Sequence, residues 1–163
     1  MDDIVYLSLG SNVADRERNL REAIRALEEL GQVKAVSCFY ETEPVDFVDQ
    51  AWFLNCAVAM ESSLHPERMM AELLRIERER GRERIQKKGP RTIDIDLLMF
   101  GERVVDSPDL NIPHTRMHRR RFVLEPLAEI APEARHPVMK KTVRELLAEL
   151  PEGQVVRKVR GCE

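Results

Sequence analysis

Cysteine is scarce in this sequence: Cys38, Cys56 and Cys162 are odd in number among 163 residues and lack the spacing of metal ligands. Cys38 and Cys56 lie in apolar, strand-like runs and read as small core residues, which makes a reducing cytoplasm the simplest home. No apolar run approaches the roughly 20 residues that a membrane helix needs, and Met1-Asp2-Asp3 is a poor start for a signal peptide. There is no Gly-x-x-x-x-Gly-Lys followed by Ser or Thr, so phosphate cannot be held in the manner of that loop. A basic surplus is missing too. The net charge is −3 and the pI about 5.9, which argues against a general nucleic-acid binder. Repeats and low-complexity linkers are absent. What remains is 43% hydrophobic and 34% charged, the balance of a soluble globular chain whose length suits one domain with a proper core.

The periodicities alternate between strand and helix. Ile4 to Leu9 reads as a strand that ends at the turn signal Gly10-Ser11-Asn12. A helix follows from Arg16, with Leu20, Ala23, Ile24, Leu27 and Leu30 at helical spacing, Asp15 as N-cap and Gly31 as stop. Val33 to Tyr40 and Phe53 to Met60 read as two strands joined by a loop containing Pro44, long enough to suggest function. A second helix opens at Pro66, turns Met69, Met70, Leu73, Leu74 and Ile76 inward, and stops near Gly81. With a strand over Thr92 to Phe100 the order is β-α-β-β-α-β, that of a ferredoxin-like α+β sandwich. Beyond it, Thr142 to Glu145 forms a capping box for a short C-terminal helix through Leu150, and Gln154 to Arg160 reads as an added edge strand.

The strand from Thr92 carries the chemistry. Ile93, Ile95, Leu97 and Met99 fall on one face, so Asp94 and Asp96 share the other, about 7 Å apart. Two carboxylates on an otherwise buried strand repel each other and need a cation nearby. Mg²⁺ fits, because it takes one or two carboxylates and completes its shell with water and phosphate oxygens. Arg91 and the basic stretch before it supply bidentate donors for the same phosphates. Arg82 to Lys88 then reads as an arginine-bearing loop beside the acidic pair, a common polyphosphate clamp. Asn55, inside the apolar run Phe53 to Val58, needs hydrogen-bond partners from backbone or ligand. Set against this, the charged run could be a solvated face and the aspartates a salt-bridged one. Two other functions remain open on the residues alone: a metal-dependent phosphoesterase and a noncatalytic RNA-binding ferredoxin-like module.

Gly89-Pro90-Arg91-Thr92-Ile93-Asp94-Ile95-Asp96-Leu97-Leu98 resembles the signature of the 6-hydroxymethyl-7,8-dihydropterin pyrophosphokinase family of folate biosynthesis. Leu9 to Asn12, Phe39 to Thr42, Phe53 to Asn55, Glu77 to Arg84, Pro113-His114, Arg120 to Phe122 and Glu125 to Leu127 match in order from about Tyr6 to Pro132. The resemblance implies that 1–163 is a single pterin pyrophosphokinase domain, an ATP- and Mg-dependent diphosphotransferase that gives the pterin diphosphate and AMP. It implies two Mg²⁺ ions on Asp94 and Asp96, with ATP as co-substrate. Catalytic work would fall to Arg82, Arg84, Arg91, Asp94 and Asp96. Nucleotide contacts would come from Glu77, Arg82, Arg84, Arg91, His114 and Arg120. The pterin would lie between Phe53 and Phe122, read by Asn55 and the backbone around Thr42 and Val45, with Asp94 near its reacting end. The partners implied are small molecules, with no nucleic acid or membrane, on a cytoplasmic monomer. Lys88 and Thr115 depart from the family pattern, where an aromatic residue often precedes the glycine and a tyrosine often follows the histidine.

Overall fold

In a computed structural model, residues 3–44, 50–80 and 92–159 are described. The sheet is built from β1 (Asp3–Ser11), β2 (Gln32–Val36), β3 (Tyr40–Thr42), β4 (Phe53–Ser62), β5 (Asp94–Phe100) and β8 (Val156–Lys158). Its strands run in the order β5-β1-β4-β3-β8, with β2 also paired to β4, and all these pairings are antiparallel. Helices α1 (Arg16–Leu27) and α2 (Pro66–Arg80) supply the two crossovers. Taking β2 and β3 as one interrupted strand gives the expected ferredoxin-like core. A short hairpin of β6 (Val105–Asp106) and β7 (Asn111–Ile112) follows, then α3 (Arg121–Ile130) and α4 (Val143–Glu149).

Side-chain alternation assigns each strand residue to one of two cores. Val5, Leu7 and Leu9 of β1, Leu54, Cys56, Val58 and Met60 of β4, and Ile95 and Leu97 of β5 pack against α1 and α2. Tyr6, Ala57, Leu98 and Met99 pack instead with Val123, Leu124, Leu127, Val143 and Leu146 of α3 and α4. Helices therefore cover both faces of the sheet. On the second face α3 and α4 leave the ends of β1, β4 and β5 open, and the residues that define the cleft lie there.

Local chemistry explains the element ends. Asp15 caps α1 by accepting the Arg18 amide at 3.1 Å, as expected. Thr142 and Glu145 form the reciprocal capping box of α4. The edge strand expected over Gln154 to Arg160 is present as β8, paired with β3.

Four expectations change. The strand expected over Val33 to Tyr40 is broken, because the Ser37 hydroxyl enters the ladder and accepts the Ala57 amide at 2.8 Å, so β2 and β3 run separately along one edge of β4. Leu74 is 45% exposed rather than inward, since it lies off the stripe formed by Met69, Leu73 and Ile76. Met99 leaves the face of Ile95 and Leu97: pairing with β1 passes from Leu7↔Leu97 to Tyr6↔Met99, so Leu98 is the extra residue of a bulge and alternation reverses there. Cys56 is a free buried thiol, pushed up to about 12 by burial, but Cys38, although buried, is disulfide-bonded rather than a plain core thiol.

Candidate functional site

Asp94 opens β5 directly opposite Gly10 of β1, and Asp96 lies opposite Ser8. Gly10 is in turn opposite Asn55 of β4. Three adjacent strands therefore present Asp94, Gly10 and Asn55 in one row across the sheet. Gly10 is part of β1 rather than a turn, and the reason for glycine is space: a Cβ there would stand 2.5 Å from the Asn55 amide nitrogen and 3.5 Å from the Phe53 ring. The missing side chain leaves a floor between the carboxylates and the amide.

Asn55 is buried and orientated from two sides. Its Oδ1 accepts the Thr42 hydroxyl at 2.5 Å, and its Nδ2 donates to the Leu9 carbonyl at 3.2 Å. The amide is thus fixed in direction before any ligand arrives, which is how a polar reading group avoids an ordering cost on binding.

The opposite wall comes from the segment that leads into α3. Arg120, the residue before the helix, points its guanidinium at Asp96 (3.8 Å) and lies over the Phe122 ring (5.5 Å). His114 hangs beside β5, its amide donating to the Leu98 carbonyl at 2.8 Å and its Nδ1 accepting the Arg116 amide at 3.1 Å. Burial lowers its pKa to about 4, reinforced by Arg120 and Arg116 and opposed by Asp94. The imidazole is accordingly neutral at pH 7, and acceptance at Nδ1 places its proton on Nε2.

Thr42, Phe53, Asn55, Asp94, Asp96, His114, Arg120 and Phe122 line one cleft of about 250 Å³. Eight of the sequence-derived site residues are therefore brought together. Glu77 stands apart from that lining. It projects from the last turns of α2 and accepts the Ile95 amide at 2.7 Å, between the two aspartates. Val45, Arg82, Arg84, Lys88 and Arg91, and with them the expected arginine loop, lie outside the described residues. Sequence reasoning missed Gln154, which lines the same cleft from the far end of the chain together with Glu43 and Pro44. No local pattern marks it, because its partners are distant in sequence.

A row of carboxylates faced by a guanidinium, beside a slot with two aromatic rings and a fixed amide, defines a cleft on a ferredoxin-like sheet for a ligand that is anionic at one end and flat at the other. The profile of 7,8-dihydro-6-hydroxymethylpterin-pyrophosphokinase (HPPK) matches residues 6–132. The chain is 46% identical over 132 residues, 80% of its length and 79% of the relative's, to a Bacillus subtilis protein named 2-amino-4-hydroxy-6-hydroxymethyldihydropteridine pyrophosphokinase. It is 42% identical over 149 residues, 90% and 91% of the two chains, to a Pseudomonas aeruginosa protein of the same name. Among solved structures it resembles Plasmodium falciparum HPPK-DHPS with pterin and p-hydrobenzoate, at a TM-score of 0.70 and 19% identity, covering 91% of this chain and 44% of that one. The likeness to that longer chain is one of fold. The chain belongs to the HPPK family.

Proposed function

We propose that the protein transfers the terminal pyrophosphoryl group of ATP to the hydroxymethyl oxygen of 6-hydroxymethyl-7,8-dihydropterin, giving the pterin diphosphate, AMP and a proton. The observation that carries this reading is the single cleft uniting Asp94 and Asp96 with Asn55, Phe53 and Phe122, on a chain whose family bears the name of that reaction. Neither a phosphoesterase nor an RNA-binding module draws support from the relatives. Residues 1–163 are read as one domain, which the pairing of β8 with β3, beyond the end of the family match, supports.

The side-chain chemistry suits a divalent hard cation. Asp94 and Asp96 offer oxygen donors, and among the described residues no group of three or more His, Cys, Asp or Glu gathers to form a complete cage. Such a site leaves the remaining positions to water and phosphate oxygens, the preference of Mg²⁺. Two Mg²⁺ ions held by Asp94 and Asp96 would neutralise the triphosphate while it binds. Arg120, reaching over Asp96, would hold phosphate from the side of α3. Neutral His114 would act as a hydrogen-bond donor through Nε2 rather than as a general acid, because it carries no imidazolium proton to give up at pH 7. Arg82, Arg84 and Arg91 complete the nucleotide side in this reading. Glu77 belongs to the nucleotide side in this reading, and its carboxylate also holds the Ile95 amide between the two aspartates.

On the acceptor side Phe53 and Phe122 would face the flat ring, and Asn55, with the backbone near Thr42 and Val45, its hydrogen-bonding edge. Phosphoryl transfer asks mainly for positioning and charge neutralisation, so a covalent nucleophile is unnecessary. A monomer acting on small molecules suits this chemistry, and among the described residues no helix is long and apolar enough to cross a membrane. The disulfide at Cys38 removes the argument for a reducing compartment that rested on its being a plain thiol. The deciding experiment incubates the protein with ATP, Mg²⁺ and the reduced pterin and resolves the nucleotides. AMP should form in equal amount to pterin diphosphate, and only with pterin present. ADP, or hydrolysis without pterin, would sink the assignment.

A further inference from the structure

The two walls of the cleft are tied together by a side chain from outside the family match. The segment after α4 is held by Arg121, whose guanidinium donates to the carbonyls of Leu150 (3.5 Å) and Pro151 (3.1 Å). It then delivers Gln154 into the cleft. Gln154 Nε2 donates to the Glu43 carbonyl at 2.6 Å, and its Oε1 accepts the Phe122 amide at 3.3 Å. The first of these partners adjoins Thr42, which orients Asn55; the second carries one of the aromatic rings.

Both contacts answer a local need. The first amides of α3 have no intrahelical acceptor, and Arg120 at the N-cap makes no side-chain cap bond; Gln154 supplies that acceptor from 32 residues away. Glu43 is gripped further by Val155, whose amide donates to the Glu43 carboxylate at 2.8 Å and whose carbonyl accepts the Glu43 amide at 3.2 Å. A carboxamide is suited to this bridge because one end donates and the other accepts.

We infer that Gln154 is a positioning residue for the acceptor pocket: it sets the separation between the Thr42–Pro44 wall and Phe122, and thereby the affinity for the flat ring. This rests on the reading of the cleft as a pterin site. The bridge lies on the acceptor side, whereas the acidic pair and His114 hold their places through β1, β5 and Glu77. Arg120, although it precedes Phe122, is drawn to Asp96 at 3.8 Å, so nucleotide binding should change little.

The test uses the full chain with Gln154→Met, which keeps volume and removes both bonds, and Gln154→Glu, which keeps the acceptor for Phe122 but sets a carboxylate against the Glu43 carbonyl. Pterin binding is followed by titration in the presence of a non-hydrolysable ATP analogue. Both variants should bind pterin about tenfold more weakly, the effect of losing one or two hydrogen bonds, with kcat at saturating pterin and affinity for the ATP analogue within about twofold of the parent. Hydrogen exchange at the Phe122 amide should quicken in Gln154→Met and stay slow in Gln154→Glu. Unchanged pterin affinity in both variants overturns the proposal, and so does a parallel loss of ATP-analogue affinity, which would mark a general structural role. A parent protein that binds no pterin instead removes the reading of the cleft itself, and that outcome is visible before any variant is made.

Discussion

The two faces of β5 make the most instructive comparison in the molecule. Ile95 and Leu97 are buried in the core beneath α1 and α2, and Asp94 and Asp96, one residue away each, line the cleft. The same backbone carries both sets, so the apolar face fixes the strand in place and the acidic face inherits that placement. Rigidity bought by hydrophobic burial on one side becomes geometric precision on the other.

Substitutions on neighbouring residues should therefore separate cleanly. Asp94→Asn and Asp96→Asn keep shape and remove charge; turnover should fall by on the order of a thousandfold, measured as AMP released, with the thermal midpoint preserved. Near-normal turnover in both would make the acidic pair structural and erase the distinction between the faces. Leu97→Ala should do the converse. It should cost about 2–5 kcal/mol of stability in denaturant unfolding, while the protein that remains folded keeps nearly the parental KM for ATP.

Smaller effects are expected around the aromatic slot. Phe53→Ala and Phe122→Ala should each weaken pterin binding by about 1–2 kcal/mol, roughly five- to thirtyfold, with ATP binding alone little changed. Calorimetry showing intact pterin affinity and lost ATP affinity would place the slot on the wrong substrate.

The smallest effect concerns protons. His114 has an ordinary value of 6.5 and is held at about 4 in the fold. Between these values the unfolded chain takes a proton that the folded chain refuses, so stability is complete above pH 6.5 and declines as the pH falls towards 4. His136, also lowered by burial and by His118, adds a loss of the same sign. His114→Asn should make the fall in melting temperature over that window shallower without removing it. Parallel curves for parent and variant would show that the imidazole is not kept neutral.

Much of this was legible in the residues, and the exceptions have a common cause. The Asp-x-Asp strand, both crossover helices, the Asp15 cap and the Thr142 capping box are written in local spacing, and the structure contains them. The break at Ser37 depends on Ala57 across the ladder, and the reversal at Leu98 on the register with β1; neither partner is near in sequence. Helix α3 was hidden by Pro126 within it and by the charged run before it. In the cleft, the aspartates follow from alternation and Asn55 stands out as an amide inside an apolar run, whereas Thr42, Phe53, Phe122 and the roles of His114 and Arg120 entered through family resemblance. Gln154 was invisible because its meaning lies entirely in Glu43 and Phe122.

One arrangement has a bearing on solubility. Among the described residues β5 is the outermost strand on its side of the sheet, and a run of Ile, Leu, Met and Phe at an edge is the kind on which a second chain can add itself. Two of its outward groups are already engaged, the Ile95 amide by the Glu77 carboxylate and the Leu98 carbonyl by the His114 amide. An incoming strand would have to displace both and bring its own backbone alongside paired negative charges. Groups beside the cleft thus also occupy the backbone positions that an added strand would need, so Glu77→Ala, chosen only to probe catalysis, should also raise self-association.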